Sequence, residues 1–223
     1  MKGRSAMVVT AIELNGVTRV FDGLPAVTQV RLAVPAGETL WLCGGNGSGK
    51  STLLRLIATA LSPTYGGGSV LGCDLLRDRD EIRARLEWLG HQPRVYGDLT
   101  ARENLEFVAR LCGLSRTLVM PALERVGLDE VAGVRVAGFS QGMRQRLAIA
   151  RCLMRDPEVV LLDEPYAGLD ASARVLVDDL LSDAVRHRRT VIIASHEAPP
   201  ADAVDRRVYL ESGRVVPAEA VPR

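Results

Sequence analysis

Long hydrophobic runs are absent from the sequence. No apolar stretch approaches the about 20 residues that a membrane-spanning helix needs. The N-terminal segment carries Lys2 and Arg4 but is interrupted by Glu13 and Asn15, so it lacks the apolar core of a signal peptide. We therefore expect a protein that is not exported and that serves a membrane, if any, by docking on its surface.

An excess of charge of either sign is also missing. The formal net charge is +1 over 223 residues, which gives no global basic field for nucleic acid. The cysteines are widely spaced and form no C-x-x-C pair, a pattern that fits neither a zinc site nor a disulfide framework. They are Cys43, Cys73, Cys112 and Cys152. We expect them to be reduced, buried, small apolar side chains of a cytosolic protein.

The composition is otherwise that of a globular protein. With 47% hydrophobic and 25% charged residues, the chain is large enough to bury a full core, and it contains no internal repeat and no long linker. Strand patterns alternate with helical patterns. The predicted strands are at 39–43, 159–162 and 190–194, and the predicted helices are at about 51–61, 141–155 and 172–186. This alternation predicts an α/β core with a largely parallel sheet.

A further helical region interrupts this alternation between about 93 and 138. Near its start, Thr100-Ala101-Arg102-Glu103 has the Thr-x-x-Glu form of a capping box. We predict a single domain over 1–223, in which a helical lobe at 93–138 is inserted into a core made of about 1–92 and 139–216.

A glycine-rich loop lies between the predicted strand at 39–43 and the helix that follows it. Residues 44–51 fit the phosphate-binding pattern G-x-x-x-x-G-K-[ST]. In such a loop the backbone N–H groups face the phosphates, the lysine reaches the β- and γ-phosphates and the hydroxyl binds Mg²⁺. The predicted phosphate-binding residues are Gly44, Gly45, Asn46, Gly47, Ser48, Gly49, Lys50, Ser51 and Thr52.

Two carboxylates follow the buried strand at 159–162. Ligands of open α/β sheets bind at the carboxyl ends of the strands, which is where Asp163 and Glu164 lie. We predict that Asp163 holds Mg²⁺ and that Glu164 orients or deprotonates an attacking water.

A third motif carries a resemblance to one family. Residues 139–146 read Phe-Ser-Gln-Gly-Met-Arg-Gln-Arg, which is similar to the L-S-G-G-Q signature of ATP-binding-cassette (ABC) ATPases. The resemblance extends from about 8 to 216 and implies a P-loop NTPase core, an N-terminal antiparallel β portion and an inserted helical lobe. It also implies that Ser140 and Gly142 contact the γ-phosphate of ATP bound to a partner subunit. Gln141 and Met143 depart from the signature.

The resemblance assigns further roles to single residues. It implies that Phe21 stacks on adenine, that Gln92 senses Mg²⁺ and water, that Asp170 lies in an inter-subunit loop and that His196 contacts the γ-phosphate. The metal ligands that it implies, together with the motifs above, are Ser51, Gln92 and Asp163. Gly45 stands where the family often has proline, and we expect that this change removes no contact.

The expected activity is ATP hydrolysis that drives transport. The resemblance implies ATP and Mg²⁺ as cofactors, an ATP-bound homodimer, a separate membrane permease, no direct contact with the transported substrate and a peripheral position on the cytoplasmic face of the inner membrane. We expect the permease to dock near 93–105, with Tyr96 and Leu99 as contacts. Residues 91–93, 98–105 and 140–147 most resemble the ATPase of the haem exporter of cytochrome c maturation.

Other functions stay open at this point. Exporters of lipids, drugs or peptides carry the same motifs, and so do non-transporting scaffolds of cell division. A chromosome-organising ATPase is disfavoured, because only about ninety residues, without heptads, separate Lys50 from Ser140. An arginine series on the helix at 141–155 is interpreted as a solvated face rather than a nucleic-acid patch. Its members are Arg144, Arg146, Arg151 and Arg155.

Overall fold

A computed structural model describes residues 9–90, 92–167, 169 and 171–216, which form two sheets and six α-helices. The smaller sheet is antiparallel, with the strand order β2-β1-β4-β5. Its strands are β1 (Thr10–Phe21), β2 (Leu24–Pro35), β4 (Tyr65–Val70) and β5 (Cys73–Asp74). Alternate residues of β1 and β2 are buried, as expected for strands with one face on the core.

The larger sheet is parallel except for its last strand. Its order is β10-β9-β3-β8-β7-β6, and only the pair of β10 and β9 is antiparallel. The strands are β3 (Thr39–Cys43), β6 (Leu86–Leu89), β7 (Val159–Asp163), β8 (Thr190–Ala194), β9 (Arg206–Glu211) and β10 (Arg214–Val216). Every residue of β7 and β8 is buried, because helices cover both faces of the sheet. The predicted α/β core with a largely parallel sheet is confirmed.

The helices divide between the two sides of the larger sheet. They are α1 (Lys50–Ile57), α2 (Arg79–Arg85), α3 (Ala101–Leu111), α4 (Val119–Arg125), α5 (Gln141–Arg155) and α6 (Ala171–Arg186). One apolar cluster joins α1 to β3 and the antiparallel sheet, and a second joins α3, α4, α5 and α6 to β7 and β8. Among the described helices, none has the length and apolar character that crossing a membrane requires.

Outside the helical region at 93–138, the predicted bounds are close to the observed ones, with one clear exception. The first helix was expected to reach residue 61 but ends at Ile57, because Thr59 adopts a left-handed backbone with φ of 55°. Arg83 donates to the hydroxyl and the carbonyl oxygen of Thr59 at 2.9 Å and holds this turn. The end of α1 is therefore set by a tertiary contact.

The helical region at 93–138 begins later than its sequence pattern indicates. Residues 92–100 contain no helix, and α3 starts after Thr100. The capping box is confirmed, since the Thr100 hydroxyl accepts from Glu103 N–H at 3.1 Å and Glu103 Oε2 accepts from Thr100 N–H at 2.8 Å. Because α3 and α4 share an apolar cluster with the larger sheet, the limits of a separate lobe stay a prediction.

Two smaller expectations were wrong. Cys43 and Cys152 are buried, but Cys73 is half-buried, and Cys112, at the C-terminal end of α3, is exposed. The arginines of α5 do not form a solvated face, because all four donate to neighbouring segments and Arg151 and Arg155 keep only 14% of their side chains exposed. The hydrogen bonds of these arginines link α5 to β6 and to the segment that precedes α5.

Candidate nucleotide-binding site

Three loops meet where the central strands of the parallel sheet end. The neighbouring strands β3, β8 and β7 pair in register, with Leu42 beside Ala194 and Ala194 beside Asp163. The glycine-rich loop, His196 and Glu164 therefore leave the sheet at the same height. This is the edge at which open α/β sheets bind ligands.

Close packing fixes the shape of the glycine-rich loop. A Cβ atom on Gly44 would lie 2.3 Å from the Leu210 carbonyl oxygen, and one on Gly49 would lie 2.4 Å from that of Ala26. Both glycines also have positive φ, so no other residue fits either position without strain. A Cβ on Gly45 would meet nothing within 4 Å. A side chain at this position would therefore meet open space, and the expectation that glycine here removes no contact stays a prediction.

The loop presents donors that suit a phosphate group. Lys50 begins α1, is only 6% exposed and donates from Nζ to the carbonyl oxygens of Gly44 at 2.7 Å and Gly45 at 3.1 Å. The Ser48 hydroxyl is buried and has no hydrogen-bond partner within the described part of the chain. A buried hydroxyl without a partner is costly, and the N-terminus of a helix attracts anions. The residues present therefore fit the phosphates of a nucleotide.

The predicted metal ligands also come together. Ser51 donates from its hydroxyl to Asp163 Oδ1 at 2.8 Å, and Asp163 is only 3% exposed at the end of β7. Gln92 lies with both along one cavity of about 480 Å³ that also reaches Glu164. Hydroxyl, carboxylate and amide oxygens are the ligands that Mg²⁺ prefers. The donor set therefore fits this ion.

Glu164 and His196 form a contact at the centre of the site. Glu164 Oε2 lies 2.8 Å from His196 Nδ1 and accepts from His196 N–H at 3.3 Å. Glu164 Oε1 lies 3.6 Å from Lys50 Nζ. The Glu164 backbone is left-handed, with φ of 50°, and its N–H donates to the Ala194 carbonyl oxygen at 2.7 Å. Such a conformation is uncommon outside glycine and often marks functional sites.

The remaining predicted residues are on other elements of the fold or outside the described residues. Phe21 ends β1 in the antiparallel sheet with 38% of the residue exposed, and the Arg19 guanidinium lies 4.6 Å from the centre of its ring. Ser140 caps α5, where its hydroxyl accepts from Met143 N–H at 3.2 Å, and Gly142 occupies the first turn. Asp170 lies outside the described residues. The roles of these residues stay predictions.

Sequence reasoning missed side chains that hold or line the site. Trp41 donates from Nε1 to the Ser195 carbonyl oxygen at 3.1 Å, immediately before His196. Arg94 stacks on Trp88 at 4.1 Å and lines the cavity of Gln92 and Asp163. Burial, helped by the nearby Arg151 and Arg55, lowers the pKa of Arg94. No local motif marks these residues, and only tertiary packing brings them to the site.

A phosphate-binding loop between a strand and a helix, with two carboxylates at the end of a nearby strand, defines a P-loop NTPase. The sequence profile described as "ABC transporter" matches residues 27–167, which is more than half of the chain. The chain therefore belongs to the ABC transporter family.

Three curated relatives illustrate this membership. The chain is 36% identical over 197 residues to the ABC transporter ATP-binding protein NatA of Bacillus subtilis, covering 86% of this chain and 80% of NatA. It is 36% identical over 211 residues to the daunorubicin/doxorubicin resistance ATP-binding protein DrrA of Streptomyces peucetius, of which it spans 64% while 92% of this chain is covered. The Nod factor export ATP-binding protein I of Rhizobium johnstonii is 35% identical over 211 residues, with 92% and 68% covered.

Solved structures agree with the sequence matches. An ATP binding subunit of an ABC transporter superposes with a TM-score of 0.85 at 27% identity, covering 92% of this chain and 88% of that one. The dimeric MJ0796, a bacterial ABC transporter cassette, gives 0.84 at 27% identity, with 92% and 96% covered. The predicted fold class is confirmed as that of an ABC ATPase, an ATP-binding subunit of the transporter type.

Proposed function

We propose that this chain hydrolyses ATP and thereby drives a membrane permease formed by separate chains. The observation that carries the proposal is the meeting of Lys50, the Ser51–Asp163 pair and the Glu164–His196 pair at one edge of the parallel sheet. A chain that only bound nucleotide as a scaffold would not need the second pair.

Each side chain has a task that follows from its position. Lys50 releases the carbonyl oxygens of its own loop and donates to phosphate oxygens instead. Ser51, Asp163 and Gln92 hold Mg²⁺, which when bound neutralises charge that develops on the phosphates. Glu164 orients a water molecule and accepts its proton, while His196 fixes the direction of the carboxylate.

We propose that two copies of the chain enclose the nucleotides. Ser140 and Gly142 of one copy contact the γ-phosphate held by the other, with the N-terminus of α5 supplying positive potential. Phe21 stacks on adenine through its open face, and the loop containing Asp170 lies between the subunits. A similar solved structure, the dimeric post-hydrolysis state of MJ0796 bound to ADP and Pi, supports this arrangement.

The proposed direction of transport is export. The names of DrrA and of the Nod factor protein connect those relatives with drug resistance and with export. None of the relatives reported above is named as a haem exporter, so haem export stays a prediction. Export of another small molecule agrees better with the names of these relatives. We place the chain on the cytoplasmic face of the cell membrane, docked on its permease and out of contact with the exported molecule.

The direct test is Mg²⁺-dependent phosphate release by the purified chain. We expect ATP turnover with Mg²⁺ and none after removal of the ion with EDTA. The reason is that Ser51 and Asp163 are proposed to hold the ion but cannot themselves neutralise the charge on the phosphates. Re-addition of Mg²⁺ should restore the rate and serves as the control. Binding of ATP without phosphate release, in the presence of Mg²⁺ and of the permease, would instead support a scaffold.

The docking surface of the permease is proposed around Tyr96. The residue is 56% exposed and packs edge-on against Phe107 at 5.2 Å. Buried Asn104 holds the backbone of this segment, since it accepts from Tyr96 N–H at 2.8 Å and donates to the carbonyl oxygens of Tyr96 and Thr100. The segment thus presents Tyr96 and Leu99 in a fixed conformation, which lowers the entropy cost of binding.

A groove of about 380 Å³ lies between the sheet and α3, and its lining includes Arg94, two residues before Tyr96. Its walls combine apolar side chains, among them Trp88 and Val108, with four arginines and one carboxylate. The charged residues are Arg83, Glu87, Arg94, Arg151 and Arg155. We propose that the docking segment of the permease is apolar and carries an acidic side chain.

Replacing Tyr96 and Leu99 by serine should remove the permease from the protein pulled out of gently solubilised membranes. We expect recovery to fall at least about tenfold, because exposed aromatic anchors dominate small interfaces. ATP hydrolysis by the isolated variant should stay at the parental level. Tyr65→Ser is the matched control, since Tyr65 is 68% exposed on β4. Equal permease recovery in all three proteins would reject this docking surface.

A further inference from the structure

We infer that Arg174 is a positioning residue whose ion pair with Glu197 holds His196 against Glu164. The inference rests on the proposed ATPase function. It concerns a side chain of α6 that touches neither the phosphate-binding loop nor the predicted metal ligands in the contacts described above.

Arg174 makes a two-pronged contact with the segment that carries His196. Its guanidinium donates to Glu197 Oε2 at 2.8 Å and to Oε1 at 3.2 Å, and Glu197 directly follows His196. The guanidinium lowers the pKa of Glu197, so the pair is charged at neutral pH. Paired parallel hydrogen bonds of this kind fix orientation as well as distance.

The same helix also holds the segment that follows Glu164. Tyr166, two residues beyond Glu164, is buried and donates from its hydroxyl to Asp178 Oδ1 at 2.8 Å. The Arg174 guanidinium lies 5.7 Å from the centre of the Tyr166 ring. Arg174 and Asp178 are one turn apart on α6, so one rigid face contacts both segments.

Without Arg174, the residue before His196 would be held by a tertiary hydrogen bond and the residue after it only by a local one. On the preceding side, Trp41 donates to the Ser195 carbonyl oxygen at 3.1 Å. On the following side, Glu197 N–H donates to the hydroxyl of Ser195 at 3.1 Å, a local bond within the turn. Among the described residues, Arg174 supplies the tertiary hydrogen bonds on this second side. Because the His196 side chain is 58% exposed, little packing would otherwise hold its ring at 2.8 Å from Glu164.

The test compares the kinetics of four variants with those of the parent. They are Arg174→Ala, Glu197→Ala, the charge-reversed double variant Arg174→Glu with Glu197→Arg, and Arg186→Ala. Arg186 is the matched control because it lies on the same helix, is 71% exposed and forms only a 3.6 Å pair with Asp183. The rate constant kcat, the KM for ATP with Mg²⁺ and the Tm are measured for each.

Arg174→Ala and Glu197→Ala should each lose about tenfold in kcat, since small displacements of a positioned group cost one to two orders of magnitude. The KM should stay within about twofold, because the phosphate-binding loop is unchanged. The charge-reversed pair should recover most of the lost kcat, and Arg186→Ala should match the parent. If either alanine variant lowers the Tm more than Arg186→Ala does, Arg174→Lys and Glu197→Gln are compared instead. Both should have a lower kcat than the parent, and the decrease should be smaller for Arg174→Lys than for Glu197→Gln.

Parental kcat in the Arg174 and Glu197 variants would overturn the inference, and so would a loss that charge reversal fails to restore. A rise in KM at unchanged kcat would also overturn it. If Glu164→Gln abolishes turnover while Arg174→Ala does not, only this inference fails and the proposed function stands. A parent chain without ATP turnover would reject both.

Discussion

Glu164→Gln should reduce ATP hydrolysis at least about a hundredfold, because loss of a general base costs two to four orders of magnitude. The amide keeps the size of the carboxylate and its contact with His196, but it cannot accept a proton from water. ATP binding should persist, since Lys50, Ser51 and Asp163 are untouched. The left-handed backbone at position 164 is equally accessible to glutamine, so the variant should fold as the parent does.

The measurement combines phosphate release with equilibrium ATP binding and sedimentation in the presence of Mg²⁺ and ATP. We expect a stable dimer in the variant, because the nucleotides that join the two copies are not consumed. Glu158→Gln is the matched control, since Glu158 is a surface carboxylate paired with Arg85 at 2.6 Å. Turnover above one tenth of the parental rate would remove Glu164 from the proposed role.

Glu87→Ala should lower the free energy of unfolding by about 3–5 kcal/mol, the range found when one partner of a buried ion pair is removed. Glu87 is 3% exposed on β6 and accepts from Arg151 Nε at 2.8 Å. It also pairs with Arg155, one helical turn along α5. The substitution leaves two largely buried guanidinium groups without their carboxylate. At about 2–4 °C per kcal/mol, the Tm should fall by roughly 10 °C.

Urea and thermal unfolding provide the measurement, and Glu158→Ala is the control. The Arg85–Glu158 pair has similar geometry, but its side chains are 40% and 55% exposed, so its loss should cost less than about 1 kcal/mol. Equal destabilisation by the two substitutions would show that burial does not determine how much the ion pairs of Glu87 contribute to the free energy of unfolding.

The centre of the site was predictable because its parts are encoded locally. A strand pattern and the glycine spacing identify the loop before Lys50, and a second strand pattern ends at Asp163 and Glu164. One general rule, that parallel strands present ligand sites at their carboxyl ends, then brings these residues together. The helix at 141–155 was predicted from its local sequence pattern, and the structure adds that Ser140 caps it.

The supporting side chains were not predictable, because they pair over long distances in sequence. Arg174 and Glu197 are 23 residues apart, and Arg151 and Glu87 are 64 apart. Neither pair has a spacing or composition that distinguishes it from surface charge, which is why the arginines of α5 were interpreted as solvated. The early end of α1 at Ile57 has the same origin, since Arg83 of α2 holds the left-handed Thr59.

The left-handed backbone of Glu164 has a consequence for how this chain can change by mutation. A residue with a side chain is less stable in this conformation than glycine by roughly 1 kcal/mol. The residue that is most stable in this backbone conformation is therefore not the one that carries the proposed catalytic carboxylate. Selection for stability alone would favour glycine at this position and so remove the carboxylate that we propose as the general base.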